Sequence, residues 1–389
     1  MSVHKIQTLN NISVAGLERF ERGHYEVASE ISNPHAIMVR SANMHAMDIA
    51  PSVLAVGRAG AGVNNIPVNA LSERGVPVFN APGANANAVK ELVLAALFLS
   101  ARNLPGAWSF AQGLRGSDEV ISKAVEAGKK QFRGAELPGQ VLGILGLGAI
   151  GVLVANAAHA LGMRVIGYDP KITVDRAWQL SSSVEPSPSI SHVLSASSFV
   201  SVHVPLLPLT RHLINAERLR SMRSDAVVLN FSRAEIVDEQ AVVDALNDNR
   251  LGGYVCDFPS NLLKNSDKVI ALPHLGASTV QAEDNCAVMV AEQLRAYLED
   301  GNITNAVNFP ELCMPRNGNA RVCVVHANVP NMLAQISTTV AHAGLNIADM
   351  MNKSRDAQAY TVLDLESAAT DSLQNALVAI DGVQCVRVL

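Results

Sequence analysis

The chain has 389 residues, 49% of them hydrophobic and 17% charged, with a formal net charge of −5, which implies two or three domains and a large buried core and argues against nucleic acid as a partner. Its five cysteines are scattered, odd in number and without CxxC spacing, the pattern of reduced thiols in a cytoplasmic protein that carries no metal cluster. The first residues have no apolar signal core, and no apolar run is long enough to span a bilayer, so no membrane partner is expected.

Residues 1 to about 80 read as short strands alternating with helices, with strands at 36–40, 53–57 and 76–79. A long helix is expected over 87–103, where Val89, Leu92, Val93, Ala96, Leu97 and Leu99 form an apolar face suited to bridging two domains. Residues 140–145 are a buried apolar strand that runs into a glycine turn; a helix over 152–161 and a second strand over 164–168 follow. Further β-branched runs at 199–203, 226–230, 253–257 and 269–272 alternate with helical stretches such as 239–247, as buried parallel strands do. Residues 181–191 read as a Ser/Pro loop, and 279–300 as a second long helix ending at Gly301. After a linker at 312–319, strands at 321–326, 346–351, 359–365 and 385–389 and helices at 331–343 and 373–380 give the ferredoxin-like order β-α-β-β-α-β.

The glycine turn is Gly146-Leu-Gly148-Ala149-Ile150-Gly151. In a dinucleotide fold the first glycine makes the tight turn, the second lets the backbone approach a pyrophosphate, and the third lets helix and strand pack closely. The pyrophosphate then rests on the free N–H groups of the helix N-terminus. Asp169, 18 residues past Gly151, ends the second strand where a carboxylate accepts from the adenosine ribose hydroxyls and repels a 2′-phosphate, so NAD is expected rather than NADP.

Three polar clusters follow the later strands, at the carboxyl ends where open α/β sheets bind ligands: 230–239, Asp257 and 273–279. Oxidation of a secondary alcohol removes a hydride from carbon and a proton from oxygen. His274 suits the proton, and Arg233, a planar fork, suits an α-carboxylate.

In Arg40-Ser41, 57–65, Asn80 to Asn85 with Glu91, Tyr168-Asp169-Pro170, 203–210, 230–239 and 273–279, the chain resembles the D-2-hydroxyacid dehydrogenase family along nearly its whole length. The resemblance implies an α/β fold, with a Rossmann-like NAD domain (96–283) inserted in a discontinuous α/β substrate domain (1–95 and 284–311), plus the linker 312–319 and a C-terminal ferredoxin-like ACT domain (320–389). It also implies Arg233 and His274 as catalytic residues. Arg40, Ser41, Arg58, Gly60, Ala61, Gly62 and Val63 would bind substrate, the backbone of 60–63 wrapping its carboxylate and the arginines meeting its phosphate. Gly146, Gly148, Ala149, Ile150, Gly151, Asp169, Val204, Pro205, Ser232, Asp257, His274 and Gly276 would bind NAD, Asp257 by accepting from the nicotinamide carboxamide. Lys129 and Lys130 are either solvated surface groups or reach a neighbouring subunit's site. The implied reaction is NAD-dependent oxidation of 3-phospho-D-glycerate to 3-phosphohydroxypyruvate, the committed step of L-serine biosynthesis, in a homodimer or homotetramer.

Three departures from the family stand out. Where the family places a glutamate five residues after the aspartate at 257, to orient the histidine, this chain has Leu262. Many relatives carry an arginine where Ala149 stands. In the ACT domain, His326, Asn328 and Asn346 match the serine-sensing positions of regulated relatives, so L-serine is the expected effector, but Asn331 replaces a glycine. Two alternatives stay open: a dehydrogenase of another D-2-hydroxy acid, such as glycerate or 2-hydroxyglutarate, and a non-catalytic NAD-binding sensor.

Overall fold

A computed structural model describes residues 3–389. The chain forms two compact units, residues 1–85 with 280–389, and residues 86–279. Among the described residues no helix is long and apolar enough to cross a membrane.

In the first unit, five parallel strands lie in the order Tyr25–Ala28, His4–Leu9, Ala36–Val39, Ala55–Arg58, Val78–Phe79. The order reverses between His4–Leu9 and Ala36–Val39, so the loops after these strands flank a switch point. The helix Val280–Asp300 lays Cys286, Ala287, Val290, Leu294, Tyr297 and Leu298 into the core beneath this sheet.

The same unit carries a four-stranded antiparallel sheet in the order Ile347–Arg355, Gln358–Leu365, Ala320–Ala327, Val383–Val388. With the helices Met332–His342 and Asp371–Val378 it makes the expected β-α-β-β-α-β module. Val322, Val324, Leu363, Leu365 and Val386 face the two helices. Cys323, Val325, Tyr360 and Val362 join the core of Phe79, Tyr297 and Phe309. Both faces of the central strands are therefore covered, which is why they read as unbroken apolar runs. The stretch expected as a linker is packed down. Leu312 and Met314 are buried, and Arg321 donates to the carbonyls of Met314, Pro315 and Asp300.

The second unit is a seven-stranded parallel sheet in the order Val269–Ala271, Gly253–Cys256, Val227–Asn230, Phe199–Val202, Val141–Leu145, Arg164–Tyr168, Glu185–Pro186. This is the doubly wound dinucleotide-binding topology, with its switch point between Val141–Leu145 and Phe199–Val202. The helix expected over 87–103 runs Ala86–Ala101 and stops at Asn103, whose φ of +49° is left-handed and which precedes a helix with a proline in its first turn. Two helices that the sequence pattern does not announce follow, Leu104–Gly113 and Asp118–Gly128, and neither buries a residue. The Ser/Pro stretch at 181–191 contributes the short edge strand and opens the helix Ile190–Ala196.

Candidate active site

Every expected cofactor and catalytic residue lies at the carboxyl end of the seven-stranded sheet. The helix after the fingerprint is Ala149–Ala160, capped by Gly148, so it starts inside the glycine turn rather than at 152. Each glycine has its own reason. Gly146 has φ +94°, and a Cβ there would sit 2.5 Å from the His203 carbonyl oxygen. At Gly151 a Cβ would sit 2.0 Å from the Gly146 carbonyl oxygen, so only glycine lets helix and strand close up. At Gly148 a Cβ would meet nothing within 4 Å: this position is open to whatever lies over the turn. The first backbone acceptor bond of the helix is Val152 N to Gly148 O, which leaves the amides of Ala149, Ile150 and Gly151 at its N-terminus. This cradle fits a pyrophosphate without the arginine that many relatives have at 149.

Asp169 follows the strand Arg164–Tyr168. Its two oxygens accept from the amides of Leu147 and Lys171, both at 2.8 Å. The carboxylate is thereby fixed beside the turn, with further lone pairs for ribose hydroxyls. Val204 packs toward Gly146, and the carbonyl of Pro205 accepts from Thr210 Oγ1. His203 is held by Ser201 Oγ at 2.8 Å, and its Nδ1 is buried with no partner among the described residues. Burial pushes its pKa down to about 4.

The arginine loop is organised by Asn230, fully buried at the end of its strand. Its side-chain amide donates to the carbonyl of Arg233 at 2.9 Å and meets Tyr254 Oη at 3.3 Å, while its oxygen accepts from Ser232 N. Ser232 Oγ donates to Val202 O. Arg233 itself is exposed and makes only a local bond, from Nη1 to the Ser232 carbonyl, which leaves most of its donors facing outward.

His274 sits in a turn with φ +56°, a left-handed backbone. Asp257, 2% exposed, grips this turn: its oxygens accept from the amides of Leu275 and Gly276, each at 2.7 Å, and its carbonyl accepts from His274 N at 3.1 Å. The imidazole packs edge-on against Phe258, with ring centroids 5.4 Å apart. Within this unit no carboxylate of the described residues stands within ion-pair distance of the ring. Leu262 is a partly exposed residue at the start of the short helix Leu263–Asn265. Asn230, Tyr254 and Phe258 also build the site. A polar Asn closing an apolar strand, and an aromatic directly after a strand-end Asp, are the signals that mark them.

The expected substrate residues lie in the other unit, after the strands Ala36–Val39 and Ala55–Arg58. Arg40 pairs with Glu283 at 2.5 Å, and its carbonyl accepts from Arg58 Nε at 3.0 Å. Ser41 N donates to Asn10 Oδ1. Gly60 leaves room for the Arg58 guanidinium, since a Cβ there would lie 1.9 Å from Nη1. Asn80 Nδ2 donates to the carbonyl of Ala61, which tethers the 60–63 loop. Lys129 pairs with Glu126 on an exposed surface.

In the C-terminal module the three expected effector residues are not brought together within one chain. His326 is buried, its Nδ1 at 2.8 Å from the Ala327 carbonyl and its Nε2 at 2.8 Å from Thr361 Oγ1. Asn328 is tied to the 356–357 turn. Asn346 lies at the opposite end of the sheet, where its carbonyl accepts from Glu366 N. Asn331 holds φ +68°, the left-handed conformation for which the family pattern uses glycine and which Asn tolerates better than other side chains.

Residues 107–276 match the D-isomer specific 2-hydroxyacid dehydrogenase, NAD binding domain. Over 381 residues the chain is 34% identical to D-3-phosphoglycerate dehydrogenase of Haemophilus influenzae, covering 94% of this chain and 88% of that one. It is 33% identical to the Escherichia coli K12 D-3-phosphoglycerate dehydrogenase, covering all of this chain and 95% of that one. The NAD+-bound 3-phosphoglycerate dehydrogenase structure from Entamoeba histolytica shares the fold, with a TM-score of 0.61 at 23% identity over 80% of this chain and all of that one. With the glycine cradle and the strand-end arginine and histidine in place, the chain belongs to the D-3-phosphoglycerate dehydrogenases, within the NAD-dependent D-isomer specific 2-hydroxyacid dehydrogenase family.

Proposed function

We propose that the protein oxidises 3-phospho-D-glycerate to 3-phosphohydroxypyruvate with NAD, at the committed step of L-serine biosynthesis in the cytoplasm. The observation that carries this reading is the gathering of the glycine cradle, Arg233 and the clamped His274 at one edge of one sheet. Bound NAD supplies the hydride acceptor for C2 of the substrate. His274 takes the proton from the C2 hydroxyl oxygen as that hydride leaves. Arg233 forks onto the substrate carboxylate and draws charge from the carbonyl oxygen that forms. Asp257 keeps the histidine turn in place and offers its remaining lone pairs to the nicotinamide carboxamide. Residues 1–95 with 284–311 act as the substrate domain: Arg40 and Arg58 meet the phosphate, and the 60–63 backbone meets the carboxylate. Residues 96–283 act as the NAD domain and 320–389 as the regulatory ACT domain. NADH formation with 3-phospho-D-glycerate, with D-glycerate and D-2-hydroxyglutarate as competitors, tests the assignment. Turnover that prefers either competitor replaces it, and NADH binding without turnover on any of them supports a sensor instead.

The helices Leu104–Gly113 and Asp118–Gly128 support a homo-oligomer. They bury nothing, yet expose Leu104, Trp108, Val120 and Val125. A second copy covering them removes that apolar surface from water. A second copy is also what L-serine regulation requires, because Asn328 and Asn346 lie at opposite ends of one module's sheet. Serine bound by Asn328 of one copy and Asn346 of another, with His326 bracing the first, would bias the enzyme between two states. Millimolar L-serine that neither binds nor inhibits the full chain refutes this part of the reading.

A further inference from the structure

A cavity of about 880 Å³ lies in the first compact unit, where the strand His4–Leu9, the end of the helix Val280–Asp300 and the last strand Val383–Val388 meet. Its wall includes Arg387, whose side chain is nine-tenths buried. The guanidinium lies over the Tyr297 ring at 4.5 Å and donates to the carbonyls of Tyr297 (3.2 Å) and Leu298 (3.0 Å), so it caps the helix C-terminus. Those partners carry only partial charge. Among the described residues no carboxylate forms an ion pair with Arg387, and a buried cation without a counter-ion is costly.

The rest of the lining deepens the imbalance. His4 and His35 meet edge to face, with centroids 5.7 Å apart, and His24 lines the same space. The two side-chain carboxylates at the rim are already paired with other groups than Arg387. Glu299 accepts from Tyr25 Oη at 2.5 Å and from Arg295 Nε at 3.3 Å, and Glu21 stands 3.6 Å from His24. Burial holds the pKa of His4 below the ordinary imidazole value, helped by the charges of His35, Arg387 and His24 and opposed by Glu299. Burial, Lys5 and Arg387 do the same to His35. Burial first, and the surrounding positive charges second, keep both rings neutral; an anion would offset the second cause. His35 Nδ1 also accepts from Lys5 N at 3.1 Å, so of the two rings His4 is the one that can take up a proton.

We propose that this cavity is a binding site for a small anion bearing carboxylate or phosphate oxygens, and that its binding draws a proton onto His4. The anion supplies the counter-charge that Arg387 lacks, with the two imidazoles as additional donors. Since the wall is built from both the parallel sheet's first strand and the C-terminal sheet's last strand, occupancy also steadies their packing and raises Tm.

Calorimetry on the full chain tests this, with inorganic phosphate and citrate as separate probes, at pH 6 and pH 8 in buffers of different protonation enthalpy. The expected result is saturable binding of at least one probe, roughly fivefold or more tighter at pH 6, with net proton uptake. Phosphate alone assigns a phosphate ester as the ligand class, and citrate alone a carboxylate. The His4→Gln/His35→Gln variant should keep wild-type kcat/KM but lose the proton uptake and the pH dependence. Arg387→Gln should abolish binding; should it not fold, the histidine variant carries the test. Proton-linked binding that survives in the histidine variant, or no wild-type binding of either probe up to about 10 mM, a level that leaves only a few kcal/mol of affinity, overturns the proposal.

Discussion

His274 holds a left-handed backbone, and Asp257 is what holds it there: the Asp257 carbonyl accepts from His274 N, and its carboxylate closes on the next two amides. Left-handed conformations at non-glycine residues persist only where the surroundings over-determine them. Asp257→Ala removes the acceptor of two amides, of which that of Gly276 is buried and costs on the order of 1–3 kcal/mol, so the turn relaxes and kcat falls at least tenfold. Steady-state kinetics checks this, and unchanged kcat would show that the turn is fixed by other contacts.

Phe258, not a carboxylate, is the described ring neighbour of His274. A carboxylate introduced at the family position by Leu262→Glu favours the protonated imidazole. Alcohol oxidation uses the neutral base, so the acid limb of the kcat/KM profile should move to higher pH in this variant. An unmoved limb, in an enzyme that His274→Ala inactivates, would place Leu262 out of reach of the ring.

Gly148 and Gly151 should respond differently to the same added methyl. At Gly151 the new Cβ collides with the Gly146 carbonyl, so Gly151→Ala lowers Tm and NAD affinity together. At Gly148 the protein leaves the space free, so Gly148→Ala keeps its Tm and weakens NADH binding alone. Thermal unfolding beside an NADH titration separates the two. Equal NADH affinity in Gly148→Ala and wild type would mean that the pyrophosphate does not approach this turn.

Asp169 should set the choice of nucleotide. Its carboxylate is pinned by Leu147 N and Lys171 N and would face a 2′-phosphate with like charge. Asp169→Ala should narrow the ratio of kcat/KM for NAD over NADP by tenfold or more, on the order of 1.4 kcal/mol. A wild-type enzyme that uses both cofactors equally contradicts the assignment.

His203 should make the second unit acid-sensitive. Its folded pKa, about 4, lies below the unfolded value of about 6.5, so the unfolded chain takes up its proton first. Stability is unaffected above pH 7 and is lost as pH falls from 6.5 toward 4, by up to about 3 kcal/mol. His203→Gln should flatten that part of the curve of urea midpoint against pH. A variant whose midpoint falls as steeply as wild type would exclude His203 as the cause.

The sequence makes the site legible where local geometry constrains residue type. Gly146, Gly148 and Gly151 are demanded by one turn, and the strand Arg164–Tyr168 and helix Glu239–Asn247 begin and end where their patterns do. What stays hidden depends on partners far apart in the chain. Arg321 and Asp364 form a fully buried two-bond fork, at 2.6 and 2.8 Å, across neighbouring strands, and nothing near either residue announces the other. The hold of Arg387 on the end of the helix Val280–Asp300 is hidden for the same reason, and so is the fastening of 312–319. The helices Leu104–Gly113 and Asp118–Gly128 escape because they bury no residue within the chain, and pattern reading relies on a buried face.

Substrate choice and carboxylate anchoring are read together in the ratio of kcat/KM for 3-phospho-D-glycerate over D-glycerate, with NAD saturating, in wild type, Arg233→Ala and Arg233→Lys. Wild type should strongly prefer the phosphorylated acid. Arg233→Ala should lose about 2–5 kcal/mol of transition-state stabilisation toward both acids, because both share the carboxylate. Arg233→Lys should recover little, since it lacks the planar fork. Equal use of the two acids by wild type, or near-normal kcat/KM in Arg233→Ala, would contradict this reading.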